Sequence, residues 1–337
     1  MTAVTGPGRA LGARALSRAV LAILPGIVLT LLLALPAAAD QPPGRPLRIV
    51  VGFAPGGSTD ITARALADPL ASRLGQPVIV ENRPGAGGLT AADLVAKSAP
   101  DGTTLLLVAS AHAVTAAMRR ELPFDPVDDF TWLSTLVTYS MVYGVRPESP
   151  YATLEAVIAA ARGAPRSLSY YSVGVGTAHH LLGEWLNAGA GIELVHVPYR
   201  GSSQALPDFA AGRVDLMIDT MTFALPQAQA GRMRPLAVTS RNRSGAMADV
   251  PLSGSVIAGL EYESWLGLAA PKNLAPDTAA RLAAAIREEV RSAAFAARMA
   301  GLGAAAQDST GDEFRARVAR DIADFGRVVS ARAIARE

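Results

Sequence analysis

Six turns that contain Gly, Ser or Thr each follow a strand-like run, and they hold most of the residues that could do chemistry. They span residues 55–60, 84–88, 110–112, 173–177, 199–203 and 219–220. Hydroxyl groups with little formal charge suit hydrogen bonding to an anion. Where such a turn starts a helix, free N–H groups and the helix dipole attract the same anion. One turn alone would indicate only a helix cap, but six at strand ends indicate a shared binding site.

The glycine turns do not match the motifs that bind the phosphates of a nucleotide. A phosphate loop of the Walker type needs a lysine after its last glycine. The only lysines are Lys97 and Lys272, and neither follows a glycine loop. Residues 174–179 match two glycines of a dinucleotide fingerprint and have His179 in place of the third. Asp60 also puts an acid where a polyphosphate would approach. These patterns favour a single carboxylate.

Catalysis and metal binding have weaker support. The chain lacks a G-x-S-x-G nucleophile motif and a metal-binding H-E-x-x-H motif, although His180 and Glu184 share a helical face. Asp60 and Asp219 could form an acid–base pair, which keeps an enzyme as an alternative. Capping a helix or orienting a turn is the preferred role for both. We predict no cofactor and no metal site.

Strand-like and helix-like runs must position these turns, and they alternate along the chain. The first half predicts strands at 47–53, 77–82 and 103–110, with helices at 59–74, kinked at Pro69, and at 89–99. Strands at 136–145 and 266–271 bracket further α/β units. Thr153 and Gly163 are predicted to cap one helix. Single helices over 277–299 and 312–333 close the chain, the second with a Thr310/Glu313 capping box.

This order predicts a mixed α/β protein with two lobes and a mostly helical tail. Two chain paths fit the pattern. The lobes could be consecutive, or the chain could cross near Val145 and return near Thr239, so that the tail completes the first lobe. The second path would leave a ligand cleft between the lobes. The residue pattern does not choose between them.

The amino terminus resembles a secretory signal peptide. Three arginines precede an apolar run over 19–35, and Ala37, Ala38 and Ala39 form a small-residue cleavage site. We predict removal of residues 1–39 by cleavage after Ala39, and a periplasmic protein. A retained membrane anchor is the alternative. The absence of cysteine excludes a lipid anchor on the chain, as well as disulfides.

The charge of the mature chain argues against nucleic acid as a partner. Removing residues 1–39 takes away three of the 31 basic residues and none of the 29 acidic ones, which leaves a net charge of −1. A nearly neutral chain offers no electrostatic basis for binding a polyanion.

Several long blocks of the chain resemble the Bug family of periplasmic solute-binding proteins, which serve tripartite tricarboxylate transporters. The blocks, in order, are "RPLRIVVGFAPGGSTDITAR", "GQPVIVENRPGAGG", "APDGTTLLLVAS", "LPFDPVDDF", "YYSVGVGTAHHLLGE", "VHVPYRGSSQALPDFAAGRVDLMID" and "RPLAVTS". The resemblance covers nearly the whole mature chain.

The resemblance implies a type II periplasmic binding fold with two crossover strands. Lobe 1 would comprise residues 40–144 and 240–337, and lobe 2 residues 145–239. A monomer would bind a small carboxylate, such as a di- or tricarboxylate, an acidic amino acid or an aromatic acid, and deliver it to a membrane permease. A sensor subunit that presents the liganded lobe to a membrane receptor is an alternative.

Motif matches carry the family's ligand positions onto this chain. The positions implied are Phe53, Ala54, Ser58, Thr59, Asp60, Gly87, Ser110, Ala111, Gly174, Val175, Gly176, Thr177, His180, Arg200, Gly201 and Asp219. Two stretches depart from the family pattern. Residues 251–255 lack its usual Thr and Glu, and the stretch at 138–149 lacks the usual proline before the crossover strand, so a lobe 1 surface and the hinge geometry are in doubt.

Overall fold

The computed structural model describes residues 1–3, 45–241, 245–331, 334 and 336. The predicted signal peptide (1–39) and its cleavage point lie outside the described residues, apart from residues 1–3. Within the described part, no helix is both long enough and apolar enough to span a membrane.

Strands and helices alternate along the described chain. The strands are β1 Leu47–Val51, β2 Val78–Asn82, β3 Thr104–Ala109, β4 Phe130–Val145, β5 Ser169–Ser172, β6 Val195–Pro198, β7 Leu216–Thr220, β8 Arg234–Val238, β9 Glu263–Pro271 and β10 Ala305–Ala306. The α-helices are α1 Ser58–Leu74, α2 Leu89–Ala96, α3 Ala111–Met118, α4 Leu154–Gly163, α5 Ala178–Ala190, α6 Ser202–Ala210, α7 Met221–Gln229, α8 Ser253–Val256, α9 Pro276–Val290, α10 Ala293–Ala300 and α11 Gly311–Ala331. Short 3₁₀ turns lie at Ala86–Gly88 and Gly245–Met247.

The strands follow the order β2-β1-β3-β9-β4-β7-β5-β6, with β8 and β10 also paired to β4. Strand β1 is parallel to β2 and β3, and β5 is parallel to β6 and β7. Strand β9 is antiparallel to both of its neighbours, β3 and β4. Each parallel set directs its carboxyl ends, and the turns that follow them, to one edge.

Strand β4 belongs to both halves of this sheet. Residues 130–140 of β4 pair with β9, and residues 141–145 pair with β7 and β8. We therefore call β1, β2, β3, β9, β10 and the first part of β4, with the helices on them, lobe 1. Lobe 2 comprises β5 to β8 and the end of β4.

The chain returns from lobe 2 to lobe 1 at Thr239. Its N–H donates to the Met141 carbonyl (3.0 Å), and its own carbonyl accepts from the Tyr262 N–H (2.9 Å). The Thr239 hydroxyl also accepts from the Met141 N–H (2.9 Å) and donates to the Tyr262 carbonyl (2.6 Å). The pairing partner of β4 changes between Ser140 and Met141, slightly before the predicted crossing near Val145. The predicted residue limits of the two lobes stay predictions.

The lobe 1 sheet is buried on both faces. Leu105 and Leu107 of β3 join one hydrophobic cluster, which includes residues of α1 and α9. Leu106 and Val108 face the other cluster, which includes residues of α2 and α11. Side chains of a strand alternate between faces, so each face needs its own helical cover.

Local signals correctly located some helix ends. The Thr153 hydroxyl caps α4 by accepting from Ala156 N, and Thr310 and Glu313 form the predicted reciprocal capping box. Other predictions were wrong. Gly163 is the last residue of α4 rather than its cap, and α1 runs through Pro69 unbroken.

The predicted tail helix over 277–299 is two helices, α9 and α10. Ser292 ends the first run, and its hydroxyl caps α10 by accepting from Phe295 N (3.1 Å). Strand β4 also starts at Phe130 rather than residue 136, and helix α3 had not been predicted.

Candidate functional site

Five helices begin around one small cavity between the lobes. Helices α1 and α3 start there in lobe 1, and α5, α6 and α7 start there in lobe 2. The residues that line the cavity at these helix starts are Ser58, Ala111, Ala178, Ser202 and Thr220. Each start brings backbone N–H groups and the positive end of a helix dipole. The convergence favours an anion without needing a cationic side chain.

The cavity wall combines apolar side chains with several hydroxyl groups. Across the ranges that the structure describes, no Lys, Arg, Asp or Glu lines it. Its hydroxyl groups come from Ser58, Thr59, Ser110, Tyr139, Ser202, Thr220 and Ser264. Burial raises the pKa of Tyr139 to about 12, so its phenol keeps its proton at neutral pH. The wall is therefore rich in hydrogen-bond donors that suit a carboxylate.

Asp60 shapes the lobe 1 loop from behind the cavity. One of its carboxylate oxygens accepts from the Gly56 N–H (2.9 Å), and both lie 3.0 Å from the Arg64 Nε. Burial alone would raise the pKa of Asp60, but hydrogen bonds from Arg64, Gly56 and Asn82 outweigh it and lower the pKa. Asn82 Nδ2 also donates to the Phe53 carbonyl (3.1 Å). These bonds hold the loop so that Ser58 and Thr59 face the cavity.

A hydroxyl network covers the lobe 1 side of the cavity. Ser110 and Ser264 share a hydrogen bond of 2.6 Å between their hydroxyl oxygens, and the Tyr262 hydroxyl donates to Ser110 (2.8 Å). Ser264 of β9 is the cross-strand partner of Tyr139 in β4. The network joins the start of α3 to both central strands, which holds these hydroxyls in fixed positions.

The loop at 173–177 approaches the cavity from lobe 2 and lines it through Val173. Gly174 and Gly176 have φ values of 131° and 75°, a region that favours glycine. The Thr177 hydroxyl donates to the Gly174 carbonyl (2.7 Å) and caps α5. His180 Nδ1 accepts from the Gly176 N–H (3.2 Å), and the His180 ring stacks on His196 at 4.2 Å. Burial lowers the pKa of His180 to about 4, so its ring is neutral and can accept this bond.

Asp219 lies just behind the lobe 2 wall and is fully buried. Its oxygens accept from the Tyr171 hydroxyl (2.8 Å), the Thr220 N–H (2.7 Å) and His179 Nε2 (3.3 Å). His179 itself lines the cavity. The Asp219 carboxylate therefore acts on the cavity through His179 and Thr220 rather than by touching a ligand.

Direct hydrogen bonds join the two lobes at the rim. The Ala54 N–H donates to the Arg200 carbonyl (3.1 Å), and the Ser203 hydroxyl donates to the Pro55 carbonyl (2.7 Å). The Thr115 hydroxyl donates to the Gly176 carbonyl (2.8 Å). The cavity holds about 30 Å³, close to the share of one water molecule. The lobes are thus closed, and an organic acid would need them to separate before entering.

The predicted ligand positions fall into two groups. Those that line the cavity are Phe53, Ser58, Thr59, Ser110, Ala111 and Gly201. Those that lie next to it, in the loops and cross-lobe contacts behind the wall, are Ala54, Asp60, Gly87, Gly174, Val175, Gly176, Thr177, His180, Arg200 and Asp219. Arg200 is exposed and meets lobe 1 through its carbonyl.

Some cavity residues were not predicted as ligand positions. They include Tyr139 and Ser264, which come from the middle of β4 and the start of β9, and His179, which had been noted only as a departure from the dinucleotide fingerprint. Thr220 and Ser202 were noticed only as turn residues. The pairing of β4 with β9 places Tyr139 beside Ser264, and no local sequence pattern predicts that pairing.

A larger cavity of about 800 Å³ lies beside the crossovers, between β4 and α11. The acids Glu261, Glu263, Asp321 and Asp324 line it, against the arginines Arg241 and Arg317. Counted over the described residues alone, this lining is net negative, which repels a carboxylate. The smaller cavity between the lobes is therefore the candidate site.

Two α/β lobes joined by two crossovers, with a closed cleft at the helix starts, define a binding protein of the periplasmic type. The solved structure "R. palustris Rpa4515 with adipate" has a TM-score of 0.84 and 31% identity, over 88% of this chain and 100% of that chain. MatC from Rhodopseudomonas palustris, solved with bound malate, has a TM-score of 0.81 and 29% identity, over 85% of this chain and 99% of that chain.

The chain belongs to the tripartite tricarboxylate transporter family of receptors, whose family model matches residues 62–334. It is also 34% identical to the protein BugT of Bordetella pertussis over 316 residues, which is 92% of this chain and 96% of that protein. The predicted Bug-family membership is confirmed. Members of this family are solute-binding proteins of the periplasm that work with a transporter.

Proposed function

We propose that this protein captures a small carboxylate in the cavity between its lobes, closes around it and delivers it to a membrane permease. The observation that carries the proposal is the convergence of five helix starts on a cavity that no Lys, Arg, Asp or Glu of the described residues lines. Relatives of the same fold hold adipate and malate, which are both carboxylates. Two crossovers at Ser140–Met141 and Thr239 supply the hinge for closure.

Binding without turnover is the second part of the proposal. Asp60 and Asp219 lie next to cavity-lining residues, but neither lines the cavity itself. Both are occupied by hydrogen bonds from the protein, from Arg64 and Gly56 in one case and from Tyr171 and Thr220 in the other. A general base must reach the proton that it removes, and these carboxylates are already engaged. The ligand is expected to leave unchanged.

The experiment is a thermal-shift screen of the mature chain, starting at residue 40, against organic acids and their uncharged amides. At a ligand concentration of 100 times Kd, binding stabilises the folded chain by about 2.7 kcal/mol. At least one acid should raise Tm, and its amide should not. No shift with any acid, or equal shifts with the amides, would contradict the proposal.

Three further measurements test release of an unchanged ligand, the monomeric state and removal of the signal peptide. Native mass spectrometry of the purified protein should show a co-purified acid of unchanged mass after long incubation. Size-exclusion chromatography should give a monomer. Protein recovered from the periplasm should have the mass of a chain that begins at Asp40, which tests removal of residues 1–39.

A further inference from the structure

One buried ring nitrogen at the cavity has no hydrogen-bond partner in the described part of the chain. His179 lies at the second position of α5, lines the cavity, and is only 7% exposed. Its Nε2 bonds Asp219, whereas its Nδ1 is buried and has no hydrogen-bond partner among the residues that the structure describes. Buried polar atoms of native proteins nearly always have a partner, and at the cavity a bound ligand can supply one.

The surroundings of Asp219 decide which nitrogen of His179 carries hydrogen. Burial, and then the Asp219 charge, raises the pKa of Tyr171 well above its usual range, so the phenol stays protonated and donates to Asp219. The Thr220 N–H donates as well (2.7 Å). An ionised carboxylate only accepts, so His179 Nε2 must be the donor in its 3.3 Å contact. In the tautomer that carries its hydrogen on Nε2, Nδ1 is a bare acceptor.

This acceptor differs from the rest of the cavity wall. The helix starts and the hydroxyls of Ser58 and Ser202 offer hydrogens to a carboxylate. The neighbouring His180 is no substitute, because its Nδ1 already accepts from the Gly176 N–H (3.2 Å). A plain alkane dicarboxylate would leave His179 Nδ1 buried and unpaired in the complex, which costs affinity.

We infer that the cavity takes carboxylates that carry a hydrogen-bond donor, a hydroxyl or an ammonium group, and that His179 accepts from this donor through Nδ1. The inference rests on the proposed function and narrows it to hydroxy and amino acids. His179 is then a specificity-determining residue, held in its tautomer by Asp219.

The test measures affinities by isothermal titration for acids matched with and without a donor. The sets are succinate with L-malate and L-aspartate, glutarate with 2-hydroxyglutarate and L-glutamate, and benzoate with 4-hydroxybenzoate. The donor-bearing member of whichever set binds should bind at least about tenfold more tightly than its plain partner, since an unpaired buried acceptor is costly.

Two variants separate the ring nitrogens. In His179→Gln the amide nitrogen can replace Nε2 and keep the Asp219 bond, but no acceptor remains near the Nδ1 position. In His179→Asn the amide oxygen falls near the Nδ1 position. The preference for the donor should vanish in His179→Gln and persist in part in His179→Asn, with melting curves confirming that both variants fold.

Equal binding of plain and donor-bearing acids to the unmodified protein would overturn the inference, and so would a preference that survives unchanged in His179→Gln. Either result would leave the proposed function standing, because acids would still bind. If no acid of any set binds and none stabilises the protein in the thermal screen, the proposed function itself fails.

Discussion

A single methyl group at Gly87 should weaken ligand binding by holding the lobes apart. Gly87 has φ +67°, and a Cβ added there would lie 2.8 Å from the Val175 carbonyl oxygen and 3.3 Å from Thr177 Cγ2 across the cleft. Both neighbours belong to lobe 2. Relief of the clash requires the lobes to move apart, which penalises only the closed state.

The magnitude follows from the geometry of two glycines with the same backbone. Gly75, the C-cap of α1, has φ +65° and nothing within 4 Å of an added Cβ. Alanine in this backbone region costs about 1–2 kcal/mol of folding stability at either position. Only Gly87→Ala adds overpacking, about 1–3 kcal/mol, to the closed state. If ligand binds the closed state, that penalty weakens affinity by about 5- to 150-fold.

The assay is isothermal titration of Gly87→Ala and Gly75→Ala with the tightest-binding acid. Both variants should lose similar thermal stability without ligand, and only Gly87→Ala should lose affinity. Small-angle scattering should show ligand compacting Gly75→Ala more than Gly87→Ala. Equal Kd values for the two variants would refute the idea that the cleft closes at Gly87 when ligand binds.

Three other perturbations test separate parts of the structure. Burial lowers the pKa of His180 and of His196 in the folded protein to about 4, whereas both titrate near about 6.5 in the unfolded chain. As the pH drops from about 6.5 to 4, the unfolded chain therefore binds protons that the folded protein does not, and Tm should fall. A flat Tm over that window, or the same slope in His196→Gln, would contradict this. Asp60→Ala frees the Gly56 N–H and should lower the urea unfolding free energy by about 1–3 kcal/mol; no loss would mean that the loop does not need the carboxylate. Phe314→Ala should cost about 3–5 kcal/mol in the same assay and leave Kd unchanged, whereas a change in Kd would link this core to the cavity.

Local chemistry explains which elements were predictable. Hydroxyl caps act within three residues, so Thr153 and the Thr310/Glu313 pair revealed their helices from sequence. Helix α3 was missed because its first turn has no side-chain cap; Ser110 instead bonds Ser264. The break between α9 and α10 was missed because apolar spacing continues through Ser292.

The residues of the candidate site were likewise predictable only where local sequence determines their position. The glycine and hydroxyl turns at Ser58 and Ser110 were predicted because strand ends and helix starts are readable along the chain. Tyr139 and Ser264 could not be predicted as cavity residues, because more than a hundred residues separate them and only the β4–β9 register brings them together. His179 shows the same limit, since its free nitrogen depends on where the Asp219 side chain lies.

The place of β9 governs when lobe 1 can become complete. Strand β9 lies between β3 and β4, although the ribosome makes it after every strand of lobe 2. Until residues 263–271 emerge, β3 and β4 each keep an open edge. Pairings between such distant segments form slowly. The native sheet of lobe 1 therefore cannot be complete before residues 263–271 have been made, after all of lobe 2.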